Sequence, residues 1–461
     1  MDLIDAISSN TSAKSPVELS LNAHFRRQYG SLHDAVDNFL VPTSPDKEEL
    51  ERTLQQQNRM RIIFGHCPEP VRRNFLLLTI DATGAPRPFA DALMDRGIQY
   101  HPNPSPGNSP ITVGHSFSVV AALPEKNDKK SPPWVIPLLI GRVPTDKKAI
   151  DIGAEQIASI LKDQSLPFAG KLSALTADSS YSDRKFLYQM LQYPDLVTIA
   201  RCRGNRTFYR SPLTSSSDST NDRGHPVWYG TPFDMKDAST WSQFDASETI
   251  PITFRSGRDC LVTINAWYNM LMRGKRSIPM HENPFTLIRI TVNDSSGKAV
   301  FKRPLWLIVI GERNREISLH DVYEAYRQRY DIEHFFRFGK NRLLMNSYQT
   351  PDVSHEQNWW EIVGLAYVQL FIGAQFAQNL PRPWERYLPG ITEQKDGVIA
   401  SPSMAQRDMS RIIREIGTPS AFPKPRGKSD GRQKGQSPGK RNRHPVIIKS
   451  TQKAQKHDRA P

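Results

Sequence analysis

Tyr326-Arg327-Gln328-Arg329-Tyr330-Asp331-Ile332-Glu333-His334-Phe335-Phe336-Arg337-Phe338-Gly339-Lys340 is the stretch on which the fold turns. It has no Gly or Pro before position 339 and reads as one helix. At about 100° per residue, Tyr326, Arg329, Glu333 and Lys340 fall at about 0°, 300°, 340° and 320°, a wedge about 60° wide. One carboxylate is thus flanked by two cations and a phenol. A carboxylate holds a divalent metal, while Arg, Lys and a Tyr hydroxyl hold phosphate oxygens. A solvated amphipathic helix laced with i,i+3 and i,i+4 ion pairs uses the same residue types, so the stripe has to be read with what lies upstream. Asp331 sits about 200° round the helix from Glu333, outside the wedge.

Two acids upstream each end an apolar run. Asn74 to Ile80 is a short buried-strand pattern leading into Asp81, with Gly84 and Pro86 as turn signals, and Leu172 to Ala177 leads into Asp178. Open α/β sheets place ligands at the carboxyl ends of strands. An acid there with no basic neighbour in sequence suggests a bound cation, whereas an Asx-turn or helix cap is the plainer alternative for each acid alone.

The spacing Tyr-x2-Arg-x3-Glu-x6-Lys resembles the signature of the IS4-like DDE transposases, the Tn5-type family, and the resemblance spans about Asp81 to Lys340 by motif. It implies a ribonuclease-H-like α/β core with a mixed sheet and flanking helices. It further implies that Asp81, Asp178 and Glu333 ligate two Mg²⁺ ions, for which Mn²⁺ can substitute, about 3.5 to 4 Å apart, for cleavage of element ends and strand transfer to target DNA. Tyr326, Arg329 and Lys340 would then contact DNA phosphate. Double-stranded DNA, as element ends and target, is the implied partner, with a homodimer in the DNA complex. A domesticated DNA-binding protein that no longer transposes, or a metal-dependent nuclease without strand joining, remains open beside it.

The rest of the chain fits such a core. His115 to Leu123, Trp134 to Ile140 and Asp195 to Arg203 read as strands, and Asp151 to Lys162 and Asp183 to Gln192 as helices. Residues 1–70 read as a helical module: a helix from Leu19 to Tyr29, a break at Gly30, and a second helix from Ser31 with Leu32, Ala35, Val36 and Phe39 on one face. Helix, glycine turn, helix suits DNA-end recognition and a plain hairpin equally. Residues 71–210 would be the first part of the core and 211–312 a β-rich insertion carrying Trp228, Trp241 and Trp267. Residues 313–350 would complete the core, and 351–420 form a helical region suited to dimerisation. The resemblance implies that an aromatic of the insertion can stack on a displaced base, but each Trp here reads first as ordinary core.

The net charge is +14, and residues 421–461 supply +10 of it through 12 Lys and Arg against two Asp. With five Pro, four Gly and one aromatic, that arm reads as disordered and suited to nonspecific phosphate contact. Trp359 to Ala377 is a long apolar helix whose glutamines favour a core role over a membrane span. The start, with its acids and serines, lacks a signal-peptide pattern, and Cys67, Cys202 and Cys260 show no metal or disulfide spacing. A prokaryotic cytoplasm is the expected location.

Overall fold

The computed structural model describes residues 1–100, 110–128, 130–166, 169–212, 227–254, 257–378, 399–425, 433–437 and 439–448. In chain order the elements are α1 (Asp2–Ser8), α2 (Pro16–Leu19), α3 (Gly30–Asp37), α4 (Glu48–Phe64), β1 (Leu76–Pro86), β2 (Gly97–Tyr100), β3 (Ile111–Ala122), β4 (Ile136–Val143), α5 (Ala149–Leu161), β5 (Ser173–Ala177), α6 (Arg184–Met190) and β6 (Leu196–Cys202). They continue with β7 (Thr207–Tyr209), β8 (Pro232–Asp234), β9 (Ala246–Thr253), β10 (Asp259–Met270), β11 (Phe285–Asp294), β12 (Leu305–Ile310), α7 (Leu319–Gln328), α8 (Asp331–Arg342), α9 (Val353–Gly373) and α10 (Pro402–Glu415). The fold is mixed α/β and ribonuclease-H-like. The chain forms two compact units, one of residues 68–81 and 154–330, the other of residues 1–67, 82–153 and 331–461. The Pro-rich run from His101 to Gly107 and most of Ser211 to Gly224 lie outside the described residues.

In the 68–81/154–330 unit, β1, β5 and β6 run parallel, and β12, β11, β10 and β9 extend the sheet antiparallel in that order. Leu76 to Ile80 and all of β5 are buried, as a central parallel strand covered on both faces requires. The segment expected as an insertion thus continues the sheet from β6 through β12. Trp267 and Trp306 are buried and pack with Trp241 and Phe233, so Trp241 and Trp267 belong to an aromatic core. Trp228 is 41% exposed and stacks on His281, their ring centroids 4.2 Å apart.

The other unit is organised around α9. This helix is buried on nearly every side, with Trp360 stacked on Phe117 of β3 at 4.0 Å. Gly364 lets the helix approach β4 closely: a Cβ would lie 2.5 Å from Cδ1 of Ile140, whose side chain would have to shift. Gln357 donates to the Ile140 carbonyl at 2.8 Å and accepts from the Arg142 backbone N–H at 2.7 Å, so a helix side chain satisfies the strand's backbone. Buried Glu361 is compensated by Arg52 at 3.0 Å and by Arg59, both from α4. No helix among the described residues is long and apolar enough to cross a membrane.

Three local expectations are corrected. The helix expected over Leu19 to Tyr29 is absent: Ser15 caps the four-residue α2, and Asn22 then donates to the Ala6 carbonyl and accepts from the His24 N–H, drawing the backbone into turns. Gly30, expected as a breaker, opens α3. The stripe helix is two helices, α7 and α8, parted at Arg329-Tyr330, where the Tyr330 N–H bonds Arg327 three residues back and Asp331 is buried against Lys126 at 2.6 Å. The single-helix angles therefore hold only within each helix.

The basic arm is not featureless where it is described. Ala421 N–H bonds the Ala23 carbonyl at 2.8 Å, and Lys424 donates to the carbonyls of Ser20, Phe25 and Arg27. His444 and Ile447 donate to the carbonyls of Asp91 and Arg96, both at 2.8 Å, and Ile447 forms a parallel bridge to Gly97 of β2. Backbone hydrogen bonds to an open strand edge order a segment that composition alone leaves without a core. Residues 449–461 lie outside the described residues.

Candidate active site

The register of β1 on β5 pairs Ile80 with Ala177. Asp81 and Asp178 are the next residue on each segment, side by side about 5 Å apart where the parallel β1–β5 pairing ends. Asp178 follows the last residue of β5, whereas Asp81 lies within β1, which runs on to Pro86 past the turn expected at Gly84 and Pro86. Two residues upstream on the same face, Thr79 and Thr176 are fully buried and each donates its hydroxyl to the other strand's backbone, which fixes that register. Asp178 accepts the Ser180 N–H at 2.8 Å and its hydroxyl at 2.6 Å, both on Oδ1. That is the Asx-turn alternative realised, and it orients the carboxylate as well as turning the chain.

Asp81 has a cationic partner that the linear sequence hides. Arg329, following α7, donates from Nη1 to Oδ2 of Asp81 at 3.2 Å. The same guanidinium lies 5.7 Å from the centre of the Tyr326 ring. Burial raises the Tyr326 hydroxyl above the usual phenol range, against the opposing influence of Arg329 and Arg201, while Asp178 adds to the rise. Tyr326 is therefore a neutral phenol at neutral pH.

Arg201 is the residue that sequence reasoning missed. Ala200 of β6 pairs with Ala177 of β5, so Arg201 follows Asp178 across the sheet as Asp178 follows Asp81. The row Asp81, Asp178, Arg201 crosses three adjacent parallel strands. Its only sequence signal is a basic residue ending the apolar run Leu196 to Ala200, and its place in the row needs the register.

In the other unit, α8 carries Glu333 and Lys340 seven residues apart, about 20° from alignment on one helix. Lys340 donates from Nζ to the Thr83 hydroxyl at 2.7 Å and the Gly84 carbonyl at 2.8 Å. Desolvation brings its ammonium down to about 8. It lines a cavity of about 730 Å³ with Gln99, Ser116, Thr145, Lys147 and Ile447. His115 also borders this cavity but is fully buried and bonded to Glu356 and the Met94 carbonyl, a structural role. Asp331 is likewise structural.

Asp81 and Asp178 supply hard carboxylate oxygens of the kind that Mg²⁺ and Mn²⁺ take. Among the described residues no three His, Cys, Asp or Glu side chains form a cluster able to hold a metal. The two aspartates offer carboxylate oxygens to such an ion but do not, among the described residues, complete a three-ligand set.

Comparison with curated proteins returns no match. Residues 2–273, about three fifths of the chain, match a family described as DDE superfamily endonuclease, and the matched segment includes Asp81, Asp178 and Arg201. Such enzymes act on DNA and typically use divalent metal ions. With about three fifths of its length matched, the chain belongs to the DDE superfamily endonuclease family.

Proposed function

We propose that the chain is an IS4-like transposase that cuts DNA at the ends of an insertion sequence and joins the freed 3′ ends to target DNA. The carrying observation is the placement of Asp81 and Asp178 side by side where the parallel pairing of β1 and β5 ends, with Arg329 on Asp81 and Tyr326 against Arg329. The reading assigns Asp81, Asp178 and Glu333 to two Mg²⁺ or Mn²⁺ ions. When bound, such ions activate a water or 3′-hydroxyl and stabilise the leaving oxygen.

The chain's own groups do the remaining work. Arg329 has five N–H donors in a planar fork and can serve Asp81 and a phosphate oxygen together. Tyr326, kept protonated by burial, donates to a second phosphate oxygen. Arg201 adds positive charge at the far end of the row. Lys340, fixed by Thr83 and Gly84, neutralises charge developing on the phosphate. Paired DNA ends call for a homodimer, and the reading places the protein on DNA in a prokaryotic cytoplasm.

The test is cleavage of a supercoiled plasmid carrying the element's ends, with Mg²⁺ or Mn²⁺, by the parent chain and by Glu333→Gln. The expected outcome is metal-dependent nicking and joining, both lost in the variant while DNA binding persists. Nicking without joined products would identify a nuclease, and binding without cleavage by the parent a domesticated DNA-binding protein.

A further inference from the structure

Beside Glu333 α8 carries Arg337, and at its last residue, about 180° round the helix from Glu333, Arg342, two cations that the proposed chemistry does not use. Ile332, Phe335, Phe336 and Gly339 are its buried side. Taking Glu333 as zero, Lys340 lies at about −20°, Arg337 at +40°, Asn341 at +80° and His334 at +100°. Arg337 therefore continues the Glu333 stripe toward His334 and Asn341 without a gap. These residues, with Arg342, form one wall of a groove of about 280 Å³ whose other walls include Pro133, Tyr367 and the Ser401 and Ser403 positions at the start of α10.

Arg337 and Arg342 are exposed, and neither guanidinium has an ion-pair partner among the described residues. In the same unit Arg52, Arg59, Arg87, Arg96, Arg142 and Arg411 each pair with a carboxylate, whereas exposed Arg27 and Arg407, like Arg337 and Arg342, have no ion pair among the described residues; what distinguishes Arg337 and Arg342 is that they share one groove. Two planar forks at one groove, beside hydroxyl and amide donors, match the oxygens of a phosphodiester. A duplex gripped by phosphate is positioned rather than read, so no base-specific group is needed.

We infer that the groove between α8 and the start of α10 binds backbone phosphate of the DNA flanking the cleaved position, through Arg337 and Arg342. The inference rests on the reading of the chain as a DNA-cutting enzyme. It assigns these arginines to binding.

The test is fluorescence anisotropy of a labelled 40-base-pair duplex, in EDTA, with the full-length Glu333→Gln chain and the same chain carrying Arg337→Gln, Arg342→Gln or both. Removing one arginine–phosphate pairing should flatten the slope of log affinity against log salt by about 0.9, and removing both by about 1.8. Arg337→Lys with Arg342→Lys should restore the slope, because charge sets it, which excludes a folding defect as the cause. Inorganic phosphate added at constant ionic strength separates a free-anion site from a DNA site. Competition by phosphate with an unchanged DNA slope in the double variant would overturn the inference. A parent chain that nicks plasmid, with the double variant keeping the full slope, would overturn the groove alone. A parent that fails to bind duplex would overturn it together with the functional reading.

Discussion

Replacing Lys340 by Met should change stability in a way that depends on pH, and the sign follows from burial. The unfolded chain holds this proton up to its ordinary value of 10.5, whereas the folded chain releases it at about 8. Between those values the unfolded state binds one more proton, so unfolding free energy rises with pH across that window. Below about 8 both states are protonated and the folded state carries the full cost of a desolvated ammonium. Above 10.5 neither is charged and the cost is gone. The difference between the two values corresponds to up to about 3 kcal/mol, each pH unit being worth about 1.4. Lys340→Met removes the titration together with the bonds to Thr83 and Gly84, whose loss costs about 1 to 3 kcal/mol through unpaired acceptors. At pH 7 the two effects nearly cancel. At pH 10.5 the parent should be more stable than the variant by about 3 kcal/mol beyond the pH 7 difference. Urea titrations of both chains at half-unit steps from pH 7 to 10.5 read this directly, since every other titrating group cancels in the difference. A parent-minus-variant difference that stays within about 0.5 kcal/mol across the range would refute the desolvation of Lys340.

Three further outcomes are expected. Glu356→Gln, which leaves Arg87 and His115 buried beside a neutral amide, should cost about 3 to 5 kcal/mol in chemical denaturation, and a loss under about 1 would deny that this ion pair is compensated burial. Arg329→Lys should cut plasmid nicking at least about tenfold despite the retained charge, because an ammonium cannot serve a carboxylate and a phosphate in the fork geometry; parent-like rates would reject the bridging role. Deleting residues after 420 should weaken nonspecific DNA binding and flatten its salt slope, and an unchanged slope would remove the arm from DNA contact.

The strands around Asp81 and Asp178 were legible because fully buried parallel strands read as unbroken apolar runs, and both acids end such runs. Tyr326, Arg329, Glu333 and Lys340 were legible by spacing, yet the break at Arg329-Tyr330 was not: nothing at those positions forbids helix, and the interruption coincides with Asp331 burying against Lys126, a long-range contact. The helix expected from Leu19 to Tyr29 failed because apolar periodicity does not register the competition of the Asn22 side chain for nearby backbone groups. Arg201 needed the β5–β6 register, and the Asp81–Arg329 pair joins residues 248 positions apart. The strand-like docking of Ile447 escaped composition because its partner is backbone.

One unit is assembled from three separate segments, 1–67, 82–153 and 331–461, whereas most of the other is the continuous run 154–330. This fixes an order of events during synthesis. Residues 154–330 emerge together and can fold as they leave the ribosome. Leu3, Ile7 and Leu32, fully or nearly buried in the finished protein, belong to helices whose packing partner α9 begins only at Val353. At about 5 to 20 residues per second, those N-terminal helices wait on the order of 15 to 60 s for it. For that interval the nascent chain presents apolar helix faces with no partner of their own, which makes the N-terminal segment the place where a holding chaperone would act and where a pause in translation would cost most in misassembly.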